Sequence, residues 1–185
     1  MSRSLGRTAG VVLAAGEGKR FGGPKAPFEW DGERLVDRAV RILGAAGCEP
    51  IGVVLGAWRG HVDHAVTLIN ESWSEGMSSS LRTGLSWVNE DTDADYALIT
   101  LVDLPGLTSE AIERVVSAAP GIAVAVYDGE RGHPVRIPRE HFRALIDSVS
   151  GDEGARSFLA GRSDIDFVEV GDLADGTDLD LATEH

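Results

Sequence analysis

Residues 11–25, VVLAAGEGKRFGGPK, decide the fold of this chain. The first five residues are apolar and are typical of a short strand that is buried on both faces. The next ten residues contain four glycines and three cations, so the strand runs directly into a basic, glycine-rich loop. Glycine lets the backbone approach a ligand closely, and Arg and Lys add charge that suits phosphate. The alternative is a flexible surface loop that is basic by chance.

The loop matches neither of the two commonest phosphate-binding motifs. Lys25 is followed by Ala26, which excludes G-x-x-x-x-G-K-[ST], and the glycine spacing does not give G-x-G-x-x-G. The abrupt change from strand to loop nevertheless favours a polyphosphate site over a plain turn.

The rest of the chain alternates apolar strands with amphipathic helices. Strands are predicted at 10–15, 51–55, 66–69, 96–102, 122–127, 135–137 and 165–170, with a short strand and turn at 28–33. Helices are predicted at 35–46, 58–64, 77–88, 108–116, 138–149 and 154–160. This alternation predicts an α/β fold, a three-layer α/β/α arrangement around a mostly parallel, Rossmann-like sheet. Residues 1–185 are expected to form a single domain.

Composition narrows the classes of function. Seventeen Lys and Arg against thirty Asp and Glu give a formal charge of −13, which argues against nucleic acid as a partner. The single cysteine, Cys48, excludes an internal disulfide and a cysteine-based zinc cluster. No apolar run has the length of a membrane span and no apolar signal core opens the chain, so we expect a cytoplasmic protein with no membrane partner.

Asp103 directly follows the strand predicted at 96–102 and precedes Leu104-Pro105-Gly106. A carboxylate at the end of a buried strand can be a hard oxygen ligand for Mg²⁺, or it can stabilise the turn. The carboxyl ends of parallel strands meet at one edge of a sheet, and ligands bind there. We therefore expect Asp103 and the glycine-rich loop to lie at the same edge.

Three further segments carry candidate residues. Residues 70–81, NESWSEGMSSSL, place small hydroxylated residues before an amphipathic helix, where they could cap its first turn or leave its amides to a ligand. His133 lies in a Gly-His-Pro turn, where a histidine is either structural or part of a pocket. Asp152 lies before a predicted helix as a cap, a pocket residue or both. His61 and His64 are interpreted as surface residues.

The ordered pattern of residues 13–25, LAAGEGKRFGGPK, resembles the signature loop of the MobA-like NTP transferase family. Residues 70–81, the Asp-x-Pro at Asp103 and the segment 151–156, GDEGAR, add to the resemblance, which is greatest to the molybdenum cofactor cytidylyltransferase (MocA-like) branch. The resemblance implies a sheet of the nucleotide-diphospho-sugar transferase type, a Mg²⁺ ion on Asp103, and catalytic roles for Arg20, Lys25 and Asp103. It implies acceptor contacts from His133 and Asp152. It implies nucleotide contacts from Leu13, Ala14, Ala15, Gly16, Gly18, Arg20, Lys25, Gly76 and Ser80.

The expected reaction is transfer of a nucleoside monophosphate to a small phosphorylated acceptor, with release of pyrophosphate. Ala15, where guanylyl-transferring relatives usually have glycine, favours CTP, and molybdopterin cofactor is the specific acceptor expected from the resemblance. A molybdoenzyme or its chaperone would then be a partner. The alternatives are an NAD(P)H-dependent oxidoreductase of the nicotine-blue type and a non-catalytic nucleotide-binding protein. The tail 178–181, DLDL, resembles the acidic end of relatives but is expected to be solvated.

Overall fold

The computed structural model describes residues 6–180, and its apolar strand β1 (Thr8–Leu13) belongs to a seven-stranded sheet. Every residue of β1 is buried, as expected for a strand that is covered on both faces. The other strands are β2 (Glu29–Trp30), β3 (Glu33–Arg34), β4 (Ile51–Leu55), β5 (Val66–Ile69), β6 (Tyr96–Leu101), β7 (Ile122–Tyr127), β8 (Glu130–Pro138) and β9 (Ile165–Glu169). The helices are α1 (Leu35–Ala45), α2 (Met77–Asp91), α3 (Ser109–Val116), α4 (Phe142–Ser148) and α5 (Arg156–Leu159).

The sheet has the strand order β5-β4-β1-β6-β8-β7-β9, and β2 and β3 form a separate hairpin. β1 pairs in parallel with β4 on one side and with β6 on the other. Among the strands of this sheet within residues 6–180, only β8 runs antiparallel to its neighbours, between β6 and β7, while β7 and β9 are parallel to each other. The predicted, mostly parallel sheet is therefore confirmed.

Alternate residues of the strands face two different helical layers, because side chains along a strand point to opposite faces. Val12 and Val53 belong to the core that also contains α1 and α3 residues such as Leu43 and Ile112. Val11 belongs to the other core, with residues of α2 and α4 such as Leu85 and Phe142. The two cores confirm the three-layer α/β/α architecture.

The sheet departs from the prediction at β8, which is nine residues long where a short strand at 135–137 was expected. A two-residue turn joins it to β7, and both turn residues, Asp128 and Gly129, have positive φ (50° and 89°). An Asp-Gly pair with this geometry is the favoured connection of a tight hairpin. The turn therefore reverses the chain and gives the sheet its antiparallel strand.

The predicted helix at 58–64 is wrong, since this segment is irregular. Just before it, the amide of Ala57 donates to the carbonyl of Ala15, and within it the Arg59 guanidinium holds Glu71 in an ion pair of 2.6 Å. The helices predicted at 138–149 and 154–160 exist but are shorter. No helix within residues 6–180 is long and apolar enough to cross a membrane. Positions Leu181 and Ala182 of the predicted tail lie outside the described residues.

Candidate active site at the carboxyl edge of the sheet

The loop that follows β1 is held by hydrogen bonds between its own glycines and by the packing of one aromatic side chain, Phe21. The carbonyl of Gly18 accepts hydrogen bonds from the amides of Gly22 (2.8 Å) and Gly23 (3.1 Å). Phe21 is buried and packs edge-on against Phe28, with ring centroids 4.8 Å apart. This packing brings the end of the loop, at Lys25, back over the sheet.

Lys25 and Asp103 meet at the carboxyl edge of the sheet. The Nζ of Lys25 donates to the Oδ2 of Asp103 at 2.6 Å, and the two side chains are 15% and 18% exposed. Asp103 follows β6, the strand that pairs with β1, so the register of the sheet sets both groups side by side. The basic loop and the carboxylate thus lie at one edge, as the sequence predicts.

A cavity of about 420 Å³ opens at this point. It is lined by most of the residues that the sequence singles out, from the loop, from α2 and from the end of β6. The predicted residues in its wall are Leu13, Ala14, Ala15, Gly16, Gly18, Lys25, Gly76, Ser80, Asp103 and Asp152. Glu17, Lys19, Trp73, Ser74, Met77, Leu101 and Val102 complete the lining.

Of the residues predicted to be catalytic or to contact the nucleotide, Arg20 is the one that the structure does not bring into this cavity. Its side chain is 84% exposed, and its Nη2 lies 3.7 Å from the Oδ1 of Asp180. Lys19, which does line the cavity, is also mostly exposed and pairs with Glu17 at 2.8 Å. Lys25 is therefore the cation that the fold holds in place, whereas the other two lie on flexible side chains at the rim.

The loop also offers unused backbone donors to the cavity. Within residues 6–180, the amides of Gly16, Glu17 and Gly18 donate to no other protein atom. These three residues line the cavity, and consecutive free amides form a concave anion-binding surface. Together with the Lys25 ammonium they provide the donors that a phosphate chain requires.

The segment before α2 meets the loop 151–152 across the cavity. The Oδ1 of Asp152 accepts from the amide of Met77 at 3.3 Å, and the carbonyl of Gly151 accepts from the amide of Ser78 at 3.0 Å. Gly76 has a φ of 111°, and a Cβ there would meet Asp152 and Gly151. Asp152 therefore contacts the first turn of α2 and lines the cavity, whereas the helix that follows it, α5, has Ala155 as its N-cap and not Asp152. The predicted contact of Asp152 with the acceptor stays a prediction.

A second cavity, of about 460 Å³, adjoins the first and shares Leu13, Met77, Leu101 and Asp152 with it. His133 lies in its wall, with Nδ1 3.4 Å from the carbonyl oxygen of Ile99. Because a carbonyl only accepts, this nitrogen carries the proton and leaves Nε2 as the acceptor of a neutral ring. Burial lowers the pKa of His133, against smaller opposing effects of Ile99 and Asp103, and so favours the neutral form.

Asp178 is a site residue that sequence reasoning missed, because the acidic tail was interpreted as solvated. The tail instead crosses the site: Leu179 is buried, and its amide donates to the carbonyl of Asp103 at 2.9 Å. Asp178 lines the second cavity, and burial together with the nearby Asp103 carboxylate raises its pKa. The signal in the sequence was Leu179, an apolar residue between two aspartates.

The donor set fits a hard divalent cation such as Mg²⁺. The Asp103 carboxylate lies close enough to Asp178 to help raise the pKa of Asp178, and a cation bound by both would relieve that repulsion. Residues 6–180 contain no group of three or more His, Cys, Asp or Glu placed to hold a metal. Mg²⁺ is ordinarily bound by one or two carboxylates and completes its shell with water and phosphate oxygens, so two carboxylates suffice.

Other candidates lie outside the site. His61 and His64 are exposed, as the sequence predicts, and His61 pairs with Asp63 at 2.9 Å. Cys48 is buried, and burial raises its pKa to about 12, so its thiol is unreactive near neutral pH.

An α/β sheet with a basic glycine-rich loop facing a carboxylate at its carboxyl edge is the architecture of a nucleotidyltransferase. The family model of the MobA-like NTP transferase domain matches residues 10–166, and the chain belongs to this family. The family resemblance that the sequence indicates is thereby confirmed.

Relatives with different activities in their names match nearly the whole chain. A nicotine blue oxidoreductase of Paenarthrobacter nicotinovorans is 36% identical over 95% of this chain and 93% of its own. A probable molybdenum cofactor guanylyltransferase of Mycobacterium ulcerans is 28% identical over 95% of this chain and 90% of its own. The crystal structure of a homologue of a Mycobacterium tuberculosis protein, from Mycobacterium sp. strain JC1, superposes with a TM-score of 0.81 at 29% identity, covering 95% of this chain and 91% of that one.

Proposed function

We propose that this protein transfers a nucleoside monophosphate from a Mg²⁺-bound nucleoside triphosphate to a small phosphorylated acceptor. The observation that carries the proposal is the Lys25–Asp103 pair, 2.6 Å apart, in the wall of a cavity that the glycine-rich loop encloses. A half-buried cation beside a half-buried carboxylate offers one group to the phosphates and one to the metal. Such a pair at the carboxyl edge of an α/β sheet suits nucleotide chemistry.

The chain's own groups have distinct parts in this reaction. The free amides of Gly16, Glu17 and Gly18 hold the β- and γ-phosphates, and Lys25 lies over the bond that breaks. An oxygen of the acceptor phosphate forms a bond to the α-phosphorus, and the bond to the β-phosphate bridging oxygen breaks, so that pyrophosphate leaves. Lys25 stabilises the charge that develops on these oxygens, a kind of interaction worth about 10²–10³ in kcat.

Asp103 and Asp178 would hold the magnesium ion, which when bound neutralises phosphate charge and orients the leaving group. Arg20 lies at the rim of the cavity, and its long exposed side chain can reach a triphosphate that extends out of the cavity. No protein nucleophile is required, since the acceptor itself supplies the attacking oxygen.

The second cavity is the place for the acceptor. It adjoins the first cavity, so a phosphate bound between them would approach the α-phosphorus. Its floor is apolar, with Ile99, Val124 and Val135, while His133 and Asp152 supply hydrogen-bonding groups. This mixture suits a heterocycle that carries one phosphate, such as molybdopterin cofactor. A molybdoenzyme or its chaperone would then receive the product.

The base is proposed to be cytosine, on the strength of Ala15, which is buried in the cavity wall. The relatives named guanylyltransferases support GTP instead. The two nucleotides differ in size and in the hydrogen-bonding edge that the base presents, so a direct comparison of their binding decides between them.

A second candidate is an NAD(P)H-dependent oxidoreductase, favoured by the 36% identity to the nicotine blue oxidoreductase. The same two cavities would then take a dinucleotide and a flat pigment. The loop lacks the G-x-G-x-x-G spacing of dinucleotide-binding folds, which favours the transferase.

The experiment is a thermal unfolding series with CTP, GTP, UTP, ATP and NADH, each with and without Mg²⁺. A ligand at a hundred times its Kd stabilises the folded state by about 2.7 kcal/mol, so the true ligand raises the melting temperature. We expect CTP with Mg²⁺ to give the largest increase. Stabilisation by NADH alone would overturn the transferase.

Turnover is then measured as pyrophosphate release with molybdopterin cofactor as acceptor, beside NADH consumption with nicotine blue. Asp103→Asn should abolish pyrophosphate release, and Asp166→Asn, an exchange of the same kind in edge strand β9, is the matched control that should retain it. Binding of Mg²⁺–CTP without turnover on any acceptor would support the non-catalytic alternative.

A further inference from the structure

We infer that Asn70 is a positioning residue that presents the hydroxyl of Ser80 to the nucleotide as a hydrogen-bond donor. The inference rests on the proposed function and adds to it the polarity of the group that the site recognises. Ser80 lines the first cavity and is only 5% exposed. Asn70 is 4% exposed and lies outside the cavity wall, just after edge strand β5.

The amide of Asn70 has one possible orientation. Its Oδ1 accepts from the backbone N–H of Ser72 at 3.0 Å, so the other end of the amide must be the NH₂ group. That Nδ2 donates to the Oγ of Ser79 at 2.8 Å and to the Oγ of Ser80 at 3.1 Å. Both of its protons are therefore used, and both serine oxygens are acceptors towards Asn70.

The two serines differ in where their own protons go. The single proton of the Ser79 hydroxyl has two carbonyl oxygens in reach, those of Ser72 (2.9 Å) and Gly76 (2.8 Å), so it finds its acceptor within the protein. Within the described part of the chain, the hydroxyl of Ser80 has no acceptor. Asn70 donates to one of the two lone pairs of the Ser80 oxygen, and the proton of Ser80 is left for a ligand in the cavity.

A buried hydroxyl whose proton has no acceptor in the protein favours ligands that place an acceptor atom beside it. A carbonyl oxygen or an unprotonated ring nitrogen of the nucleotide accepts the Ser80 proton and completes the network. An amino group at the same place could donate to the second lone pair of Ser80 but would leave the serine proton without an acceptor, which costs free energy at a buried position. A site that hydrogen-bonds in one direction discriminates strongly for this reason. Ser80 therefore distinguishes nucleotides by an acceptor atom on the edge that faces α2.

Asn70→Asp tests the inference because it changes the direction of one hydrogen bond with almost no change of shape. The carboxylate still accepts from Ser72, but it now draws the proton of Ser80 away from the cavity. We expect the affinity for the preferred nucleotide to fall about tenfold, the value of one well-made hydrogen bond. KM should rise with kcat nearly unchanged, since the contact is made equally in substrate and transition state.

Ser80→Ala removes the same donor directly and leaves Asn70 bonded to Ser72 and Ser79, so it tests the donor even if Asn70→Asp fails to fold. It should show the same loss, with a narrower spread of affinities among CTP, GTP, UTP and ATP. The double variant should bind no more weakly than either single variant. Asn89→Asp makes the same exchange at an exposed position of α2 and should bind as the wild type does.

Calorimetric titration of the four Mg²⁺-bound triphosphates gives each of these affinities. Unchanged selectivity in Ser80→Ala, or losses that add fully in the double variant, would overturn the role of Asn70 and Ser80 while leaving the transferase intact. Absence of triphosphate binding by the wild-type chain would instead overturn the proposed function, and this inference with it.

Discussion

At the scale of single residues, Lys25 forms an ion pair with the Asp103 carboxylate, which is proposed to hold the metal. The ammonium lies 2.6 Å from Asp103, so a cation that binds there must compete with it. A triphosphate would draw Lys25 towards its own oxygens and release the carboxylate. Metal and nucleotide are therefore expected to bind with positive coupling, each making the site more favourable for the other.

Lys25→Met should separate these two effects. Removal of the ammonium leaves Asp103 without that partner, so Mn²⁺ alone should bind more tightly, while the affinity for the triphosphate and kcat should both fall. Electron paramagnetic resonance of free Mn²⁺ measures the first effect and calorimetry the second. Asp103→Asn is the opposite control and should weaken Mn²⁺ binding. Equal Mn²⁺ affinity in wild type and Lys25→Met would contradict the competition.

His133 predicts a pH dependence of stability. Burial lowers its pKa in the folded protein below the ordinary value of 6.5, so below that pH the unfolded chain binds more protons. Its contribution to the free energy of unfolding is present above pH 6.5 and is lost as the pH falls towards the lowered pKa. Urea unfolding of wild type and His133→Gln between pH 5 and pH 8 should show the smaller decrease in the variant. Parallel curves would show that the ring is not buried as a neutral group.

The sequence was sufficient to place those residues whose positions are set by the backbone. Lys25 and Asp103 follow from an apolar strand, a glycine-rich loop and a second strand beside the first. Arg20 did not follow, because a long exposed side chain is placed by its partners, and here the partner is Asp180. Ser80 was found from a motif that begins at Asn70, but the direction of its hydrogen bond depends on a contact between these two side chains that only the fold reveals.

At the scale of elements, the loop after β1 depends on Gly18 more than on its other glycines. Gly18 has a φ of 62°, and a Cβ there would fall on the carbonyl oxygen of Gly23. Gly23 itself has no positive φ, and a Cβ there would meet nothing within 4 Å. The turn therefore requires glycine at one position and tolerates a side chain at the other.

Gly18→Ala should destabilise the folded state by about 1–3 kcal/mol and displace the amides that are proposed to hold the phosphates. Nucleotide affinity should fall by more than stability alone explains. Gly23→Ala is the matched control and should keep both properties near wild type. Thermal unfolding with and without Mg²⁺–CTP measures the two quantities. Similar losses in both variants would show that the loop has no preferred conformation.

The order of elements was predictable and their connections were not. Helices and strands from α1 to β6 follow from apolar periodicity alone. The segment 58–64 was predicted to be a helix, but Arg59 within it bonds Glu71 and the preceding Ala57 bonds Ala15, and only the tertiary fold brings these partners near. The length of β8 depends on the Asp128–Gly129 turn, a local signal that periodicity does not contain.

At the scale of the whole molecule, Arg136 joins the sheet to the helical layer on one side. It lies on β8, is 2% exposed, and donates to the carbonyls of Val116, Ala118, Ala119 and Gly121 after α3. Its guanidinium also lies 4.7 Å from the ring of Tyr96 on the neighbouring strand. The planar, five-donor group matches four separate acceptors, which an ammonium cannot do.

Arg136→Lys should therefore destabilise the fold by about 2–4 kcal/mol, because the buried carbonyls lose partners and the new ammonium is poorly satisfied. Arg143→Lys is the control, since that side chain is 88% exposed in an ion pair with Asp147, and it should change stability by less than about 0.5 kcal/mol. Chemical denaturation with both variants measures the difference. A loss below about 1 kcal/mol in Arg136→Lys would show that water replaces the lost bonds.

The wall that the two cavities share has a consequence for the order of chemical events. Met77 and Asp152 border both, so donor and acceptor can be present together and exchange the group directly. A single direct displacement inverts the configuration at phosphorus, and it gives initial-rate lines that intersect when either substrate is varied. A chiral α-thiotriphosphate would report that inversion, whereas retention would require a covalently modified enzyme in between.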